Sequence, residues 1–163
     1  MKVDNKKLAF LGIVSAVAII FGYVESLVPV FMGIPGVKLG LANLAVLFVL
    51  HRYTLKEAAA VSLIRILVIG FMFGNMMSII YSIAGAALSM IVMKLMLMKT
   101  DFSLLGVSVA GGVTHNIGQL LIYMCIMETT SLSYYAPVLI VSGVATGLVI
   151  GYLTQETSKR IHL

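Results

Sequence analysis

The chain has 163 residues, 61% of them apolar and 10% charged, with a net charge of +5 and a mean hydropathy of +1.11. Soluble domains carry about 25% charged residues, so a water-soluble globule of this size is excluded. One cysteine and three prolines exclude a disulfide scaffold and a collagen-like chain as well. What remains is an all-α membrane protein, with residues 1–163 forming a single integral-membrane domain.

A helix needs roughly 20 apolar residues to cross the hydrocarbon. On that measure, spans are predicted at about 8–28, 37–53, 57–74, 76–98, 103–127 and 134–154, six transmembrane helices in all. The first is too long for the core of a cleavable signal peptide and lacks an A-x-A exit. Its small residues Gly12 and Ala16 share a face, suited either to internal packing or to docking another subunit. Before the second span, Pro29, Gly33, Pro35 and Gly36 interrupt the chain, so 29–36 is expected to be an irregular connector. Dipping inward it would line a cavity and act as a lid; otherwise it is a surface loop. The fourth span carries Ser78, Ser82 and Ala86 at four-residue spacing and several methionines, read as adaptable packing rather than a metal site. The last has Gly143, Gly147 and Gly151, a stripe expected to seat a neighbouring helix.

The basic residues are one-sided. The N-terminus, the second and fourth connectors and the C-terminus hold nine of the eleven Lys and Arg. The connectors around Gly74-Asn75 and from Glu128 to Ser133 hold none. Both termini are therefore predicted to be cytoplasmic. The same scatter in small flanking groups argues against nucleic acid as a partner, because no face is rich enough in charge to follow a phosphate backbone.

Polar groups inside a bilayer are costly, at least about 2.5–3.5 kcal/mol for a charge at a helix centre, and need a partner or a wet cavity. Those that stand out are Glu25, Lys38, Asn43, Arg65, Asn75, His115, Asn116 and Gln119. With the predicted orientation they fall at the midplane or in the outer half, which favours an outward-opening polar cavity over a continuous pore. The candidate ligand-binding set is Glu25, Lys38, Asn43, Arg65, His115, Asn116 and Gln119. Lys38 and Arg65 would hold an anionic group, and His115, Asn116 and Gln119 would supply directional hydrogen bonds. Four residues apart, His115 and Gln119 share a face, while Asn116 is turned by about 100°. Gly111 and Gly112 leave room for a ligand or a neighbouring backbone. Structural alternatives stand beside each role: Glu25 paired with Arg65, Lys38 snorkelling to the interface, and the amides of the fifth span forming an internal network.

No G-x-x-x-x-G-K-[ST], G-x-S-x-G, H-E-x-x-H or dinucleotide glycine motif occurs. The chain is expected to hydrolyse no ATP by itself and to carry no cofactor or metal. No Asp-rich pair exists of the kind that holds magnesium for prenyl diphosphate chemistry. No catalytic residues are assigned.

Four strings carry a resemblance: Tyr23 to Pro29 (YVESLVP), Ile34 to Asn43 (IPGVKLGLAN), Gly106 to Val109 (GVSV) and His115 to Gln119 (HNIGQ). With them the chain resembles the Gx transporter family, whose members are often labelled heptaprenyl diphosphate synthase component I. It is more loosely similar to the substrate-binding S components of energy-coupling factor (ECF) transporters. That second resemblance implies a six-helix bundle with cytoplasmic termini and a ligand site near the outer face, beneath the connector between helices 1 and 2. It also implies ATPase and transmembrane coupling subunits as partners, docked through Gly12 and Ala16. The function so implied is capture of a small, anionic metabolite for uptake across the cell membrane. The alternative, implied by the family label, is a membrane component of isoprenoid or quinone biosynthesis.

Overall fold

The computed structural model describes residues 5–27, 40–99 and 101–160. Among them are six α-helices and no strand: α1 (Asn5–Leu27), α2 (Leu41–Arg52), α3 (Leu55–Phe73), α4 (Met76–Met98), α5 (Leu104–Ile126) and α6 (Ala136–Arg160). A short 3-10 turn over Ser131–Tyr135 leads into α6. The helices follow the predicted spans within a few residues, except that α6 runs on to Arg160. The connector 29–36 and Lys38 lie outside the described residues.

Helix starts follow from local chemistry. Thr54 and Glu57 form a capping box at the head of α3, each satisfying a backbone N–H that the first turn leaves without a partner. Asn75 does the same for α4 by accepting from the Ser78 N–H at 2.8 Å, so this sequence-flagged polar residue has a structural role as a cap. Ser103 accepts from the Gly106 N–H at 3.1 Å to start α5.

Among the described residues, four elements are long and apolar enough to cross a membrane: α1, α4, α5, and α6 with its leading turn. The 12 residues of α2 fall short, and α3 carries Lys56, Glu57 and Arg65. Large apolar side chains point outward from helices on every side, among them Ile13, Phe71, Leu95, Leu121 and Val141. Such continuous apolar exposure is that of a surface bathed in lipid rather than water.

The interior is organised around the shortest helix. From Ala45 to Leu50 every residue of α2 is buried, as expected of a helix that is apolar all round. It packs against α1, α3 and α6 and touches α4, while α3, α4, α5 and α6 pack in sequence around it. The α5–α6 contact is the most extensive in the molecule, and the last-span glycine stripe explains it. A Cβ built on Gly147 would sit 2.6 Å from Val109 Cα, and one on Gly143 2.9 Å from Val113 Cα. The stripe therefore packs internally, backbone on backbone. Gly112 of α5 belongs to the same seam, its missing side chain making room for the Gly143 carbonyl, whereas Gly111 faces Met93 of α4. The α1 stripe differs: Gly12 and Ala16 are exposed, and nothing lies within 4 Å of a Cβ at Gly12.

At the Arg52 end of α2 the bundle is clamped. Lys7 of α1 pairs with Glu57 of α3 and lies 5.4 Å from the centroid of the Tyr53 ring. Phe10 packs between Phe48 and Tyr53, and Arg52 donates to the Ser158 carbonyl of α6 at 2.9 Å.

Candidate functional site

The opposite end of α2 is hollow. Leu41 opens the helix after Gly40, whose φ of 71° lies in the left-handed region that side-chain-bearing residues avoid. A Cβ there would also press on Ile150 Cδ1 at 3.3 Å. Beyond this start lies a cavity of about 290 Å³ to which all six helices contribute. At 1.5 Å per residue, α2 is about 18 Å long, too short to fill a bundle whose other helices have 19 to 25 residues.

Glu25, Asn43, Arg65, His115, Asn116 and Gln119 all line this cavity. They come from four helices, and each is half-buried, with surface left toward the hollow. Their geometry separates their roles. Glu25 closes no ion pair with Arg65; its carboxylate accepts the Gly40 N–H at the start of α2, where a helix dipole favours negative charge. Arg65, from mid-α3, reaches Asn43 through one long hydrogen bond, Nη2 to Oδ1 at 3.4 Å. Its Nε is shut away from surface with no hydrogen-bond partner. A guanidinium has five donors, so Arg65 arrives at the cavity with most of its capacity unused.

On α5 the predicted facing holds. His115 and Gln119 both lie against Gly85 of α4, whose absent side chain leaves their space: a Cβ there would meet Gln119 Cγ and the His115 carbonyl, each at 2.7 Å. Asn116 points instead to α6, its amide nitrogen donating to the Leu139 carbonyl at 2.8 Å and to Ser142 Oγ at 3.2 Å. Asn116 is thus a strut between α5 and α6 that leaves its amide oxygen as the remaining group.

Sequence reasoning missed several lining residues. Ser78 and Ser82 of α4, read as small packing residues, line the cavity, as does Thr146 of α6. The four-residue spacing of the two serines was a usable signal, since it places both hydroxyls on one face. The apolar walls, Ile66, Ile69 and Phe73 of α3, carried no signal distinguishable from lipid contact.

The cavity brings opposite charges and neutral polar groups together. It offers one guanidinium with spare donors, one carboxylate already engaged by backbone, and a ring of amides, hydroxyls and an imidazole. Neither a curated protein nor a solved structure matches the chain. A family model described as heptaprenyl diphosphate synthase component I matches residues 14–157, a stretch that contains every cavity residue named above. The chain belongs to the heptaprenyl diphosphate synthase component I family.

Proposed function

We propose that this protein is the substrate-capturing membrane subunit of an uptake system for a small anionic metabolite. The observation that carries the reading is Arg65, a cation set in an apolar bundle, facing a cavity and short of hydrogen-bond partners among the described residues. A charge held there at a cost of a few kcal/mol is accounted for when an anion completes its hydrogen bonds. In this reading the chain crosses the cell membrane six times with both termini in the cytoplasm, the cavity opens outward, and the solid Arg52 end faces inward. In the same reading Lys38, which lies outside the described residues, would hold the anionic group together with Arg65. The exposed Gly12/Ala16 face of α1 is where a coupling subunit docks, and ATPase subunits supply the energy.

Native mass spectrometry of the purified protein tests this. The wild type should retain a small-anion adduct that Arg65→Gln and His115→Ala lose. Retention of the same mass by both variants removes these residues from the site. The family description favours a second reading, a membrane component of isoprenoid or quinone biosynthesis that presents a lipid diphosphate to a soluble synthase. Prenyl transfer by such a synthase that depends on added membrane chain, in a reconstituted assay, supports it over uptake.

A further inference from the structure

The polar cavity has a neighbour. A second hollow of about 390 Å³ lies between α4, α5 and the 3-10 turn that leads into α6. Its character is different, with Tyr81, Tyr123, Leu120, Leu132 and Tyr135 on its walls. The Tyr81 and Tyr123 rings pack with centroids 5.1 Å apart, so the hollow is lined by a paired aromatic surface of the kind that takes up flat or apolar groups.

The two hollows share four residues: Ser78, Ser82, Asn116 and Gln119 line both. Two of these are committed to the fold, Ser78 to the Asn75 cap and Asn116 to α6. Ser82 and Gln119 are not; neither makes a side-chain hydrogen bond among the described residues. A boundary between a wet and an apolar space therefore presents a hydroxyl and an amide with donors and acceptors to spare. Each hollow by itself sits at the small end of ligand pockets, which run from roughly 300 to 1,000 Å³.

We infer that the ligand is an amphiphile whose anionic head meets Arg65 in the polar cavity and whose apolar body lies in the tyrosine-lined cleft, with Ser82 and Gln119 bonding the polar atoms where the two parts join. The inference rests on the capture reading and adds the ligand's other half. The polar cavity supplies charge recognition, common to many metabolites, and the cleft supplies selection by the apolar body. Transfer of apolar surface out of water is favourable in proportion to its area, so a ring system seated there strengthens binding well beyond that of the bare anion.

The test uses two matched probe pairs, inorganic phosphate with 1-naphthyl phosphate and acetate with 1-naphthoate, in equilibrium dialysis against the protein in lipid nanodiscs, with empty nanodiscs subtracted. In at least one pair the naphthyl member should bind tenfold or more tightly than the bare anion, and Arg65→Gln should weaken both members. Leu120→Trp, which fills the cleft, should bring the pair to within about twofold. Leu132→Trp does the same from the 3-10 turn if the first variant fails to fold. Equal affinity within both pairs, still dependent on Arg65, overturns the amphiphile and leaves anion capture standing; this is also the result if a lipid chain occupies the cleft. Naphthyl binding that ignores Arg65 shows two unconnected sites and likewise overturns it. Binding of no probe, or of bare anions without regard to Arg65, overturns both readings.

Discussion

The two ends of α2 are built on opposite principles. Toward Arg52 the helix is enclosed on every side by apolar packing from Ala45 to Leu50 and tied off by the Lys7–Glu57 pair and the Arg52–Ser158 contact. Toward Gly40 the helix borders a cavity ringed by polar side chains from its neighbours. The difference shows how a small membrane protein can hold a polar cavity without a separate domain: the solid end of one helix fixes the bundle, and the cavity lies at its other end. Where the polar residues fall is then a matter of economy. Buried amides and charges are tolerable in the apolar body where a partner satisfies them or a hollow admits water or a ligand.

The strongest way to break this comparison is at the solid end. Leu50 is fully buried, so Leu50→Ala should cost about 3 kcal/mol of stability, mostly as cavity and lost packing. Thermal unfolding in detergent should fall by several degrees while ligand affinity at the other end stays within twofold. A large affinity loss with unchanged unfolding would mean that the two ends are not separate in function.

At the hollow end the expectation reverses. Arg65→Gln should weaken anion binding at least tenfold, in keeping with roughly 1.5–3 kcal/mol for a charged hydrogen bond. Stability without ligand should hold or rise, because the wild-type guanidinium keeps an unpartnered Nε. Equilibrium binding beside thermal unfolding of the ligand-free protein separates these effects.

Much of this division is legible in the sequence, and the reasons differ by residue. Arg65, His115 and Gln119 announce themselves because charge and amide groups are expensive in an apolar helix. The four-residue spacing of the last two gives their shared face without any coordinates. Glu25 stands out for the same reason, but its backbone partner could not be read in this way. Among the described residues it accepts a backbone N–H fifteen residues on, and backbone groups leave no mark in a sequence. Asn116 is turned from His115 as helical geometry requires, yet that its amide meets α6 depends on how closely two helices approach. The glycine stripe of α6 promised such an approach without saying to which neighbour. The second hollow was invisible for a simpler reason: tyrosines, leucines and serines in a membrane helix read equally well as lipid contact or packing.

A subtler test falls on the junction between the ends. Gly40 has a left-handed φ, sits where an added Cβ would press on Ile150, and donates its N–H to Glu25. Gly40→Ala should cost about 1–2 kcal/mol from backbone conformation alone and shift the start of α2. Binding should fall a few-fold, less than for Arg65→Gln, because the cation remains. An alanine variant with wild-type unfolding temperature would show that the turn relaxes and that the left-handed residue is not what ends the helix.

The smallest change in stability is expected on the outer surface of α1, which sharpens the contrast with the sealed glycine seam of α6. A side chain at Gly147 has Val109 Cα in its way, whereas one at Gly12 meets nothing. Gly12→Leu should therefore leave the isolated protein within about 0.5 kcal/mol of wild type, as exposed substitutions usually do. If this face receives a coupling subunit, the bulk of a leucine where helices approach closely should abolish co-purification with that subunit while leaving ligand affinity intact. Full assembly with leucine at both 12 and 16 would leave the α1 face as lipid contact and move the search for a docking surface to another helix.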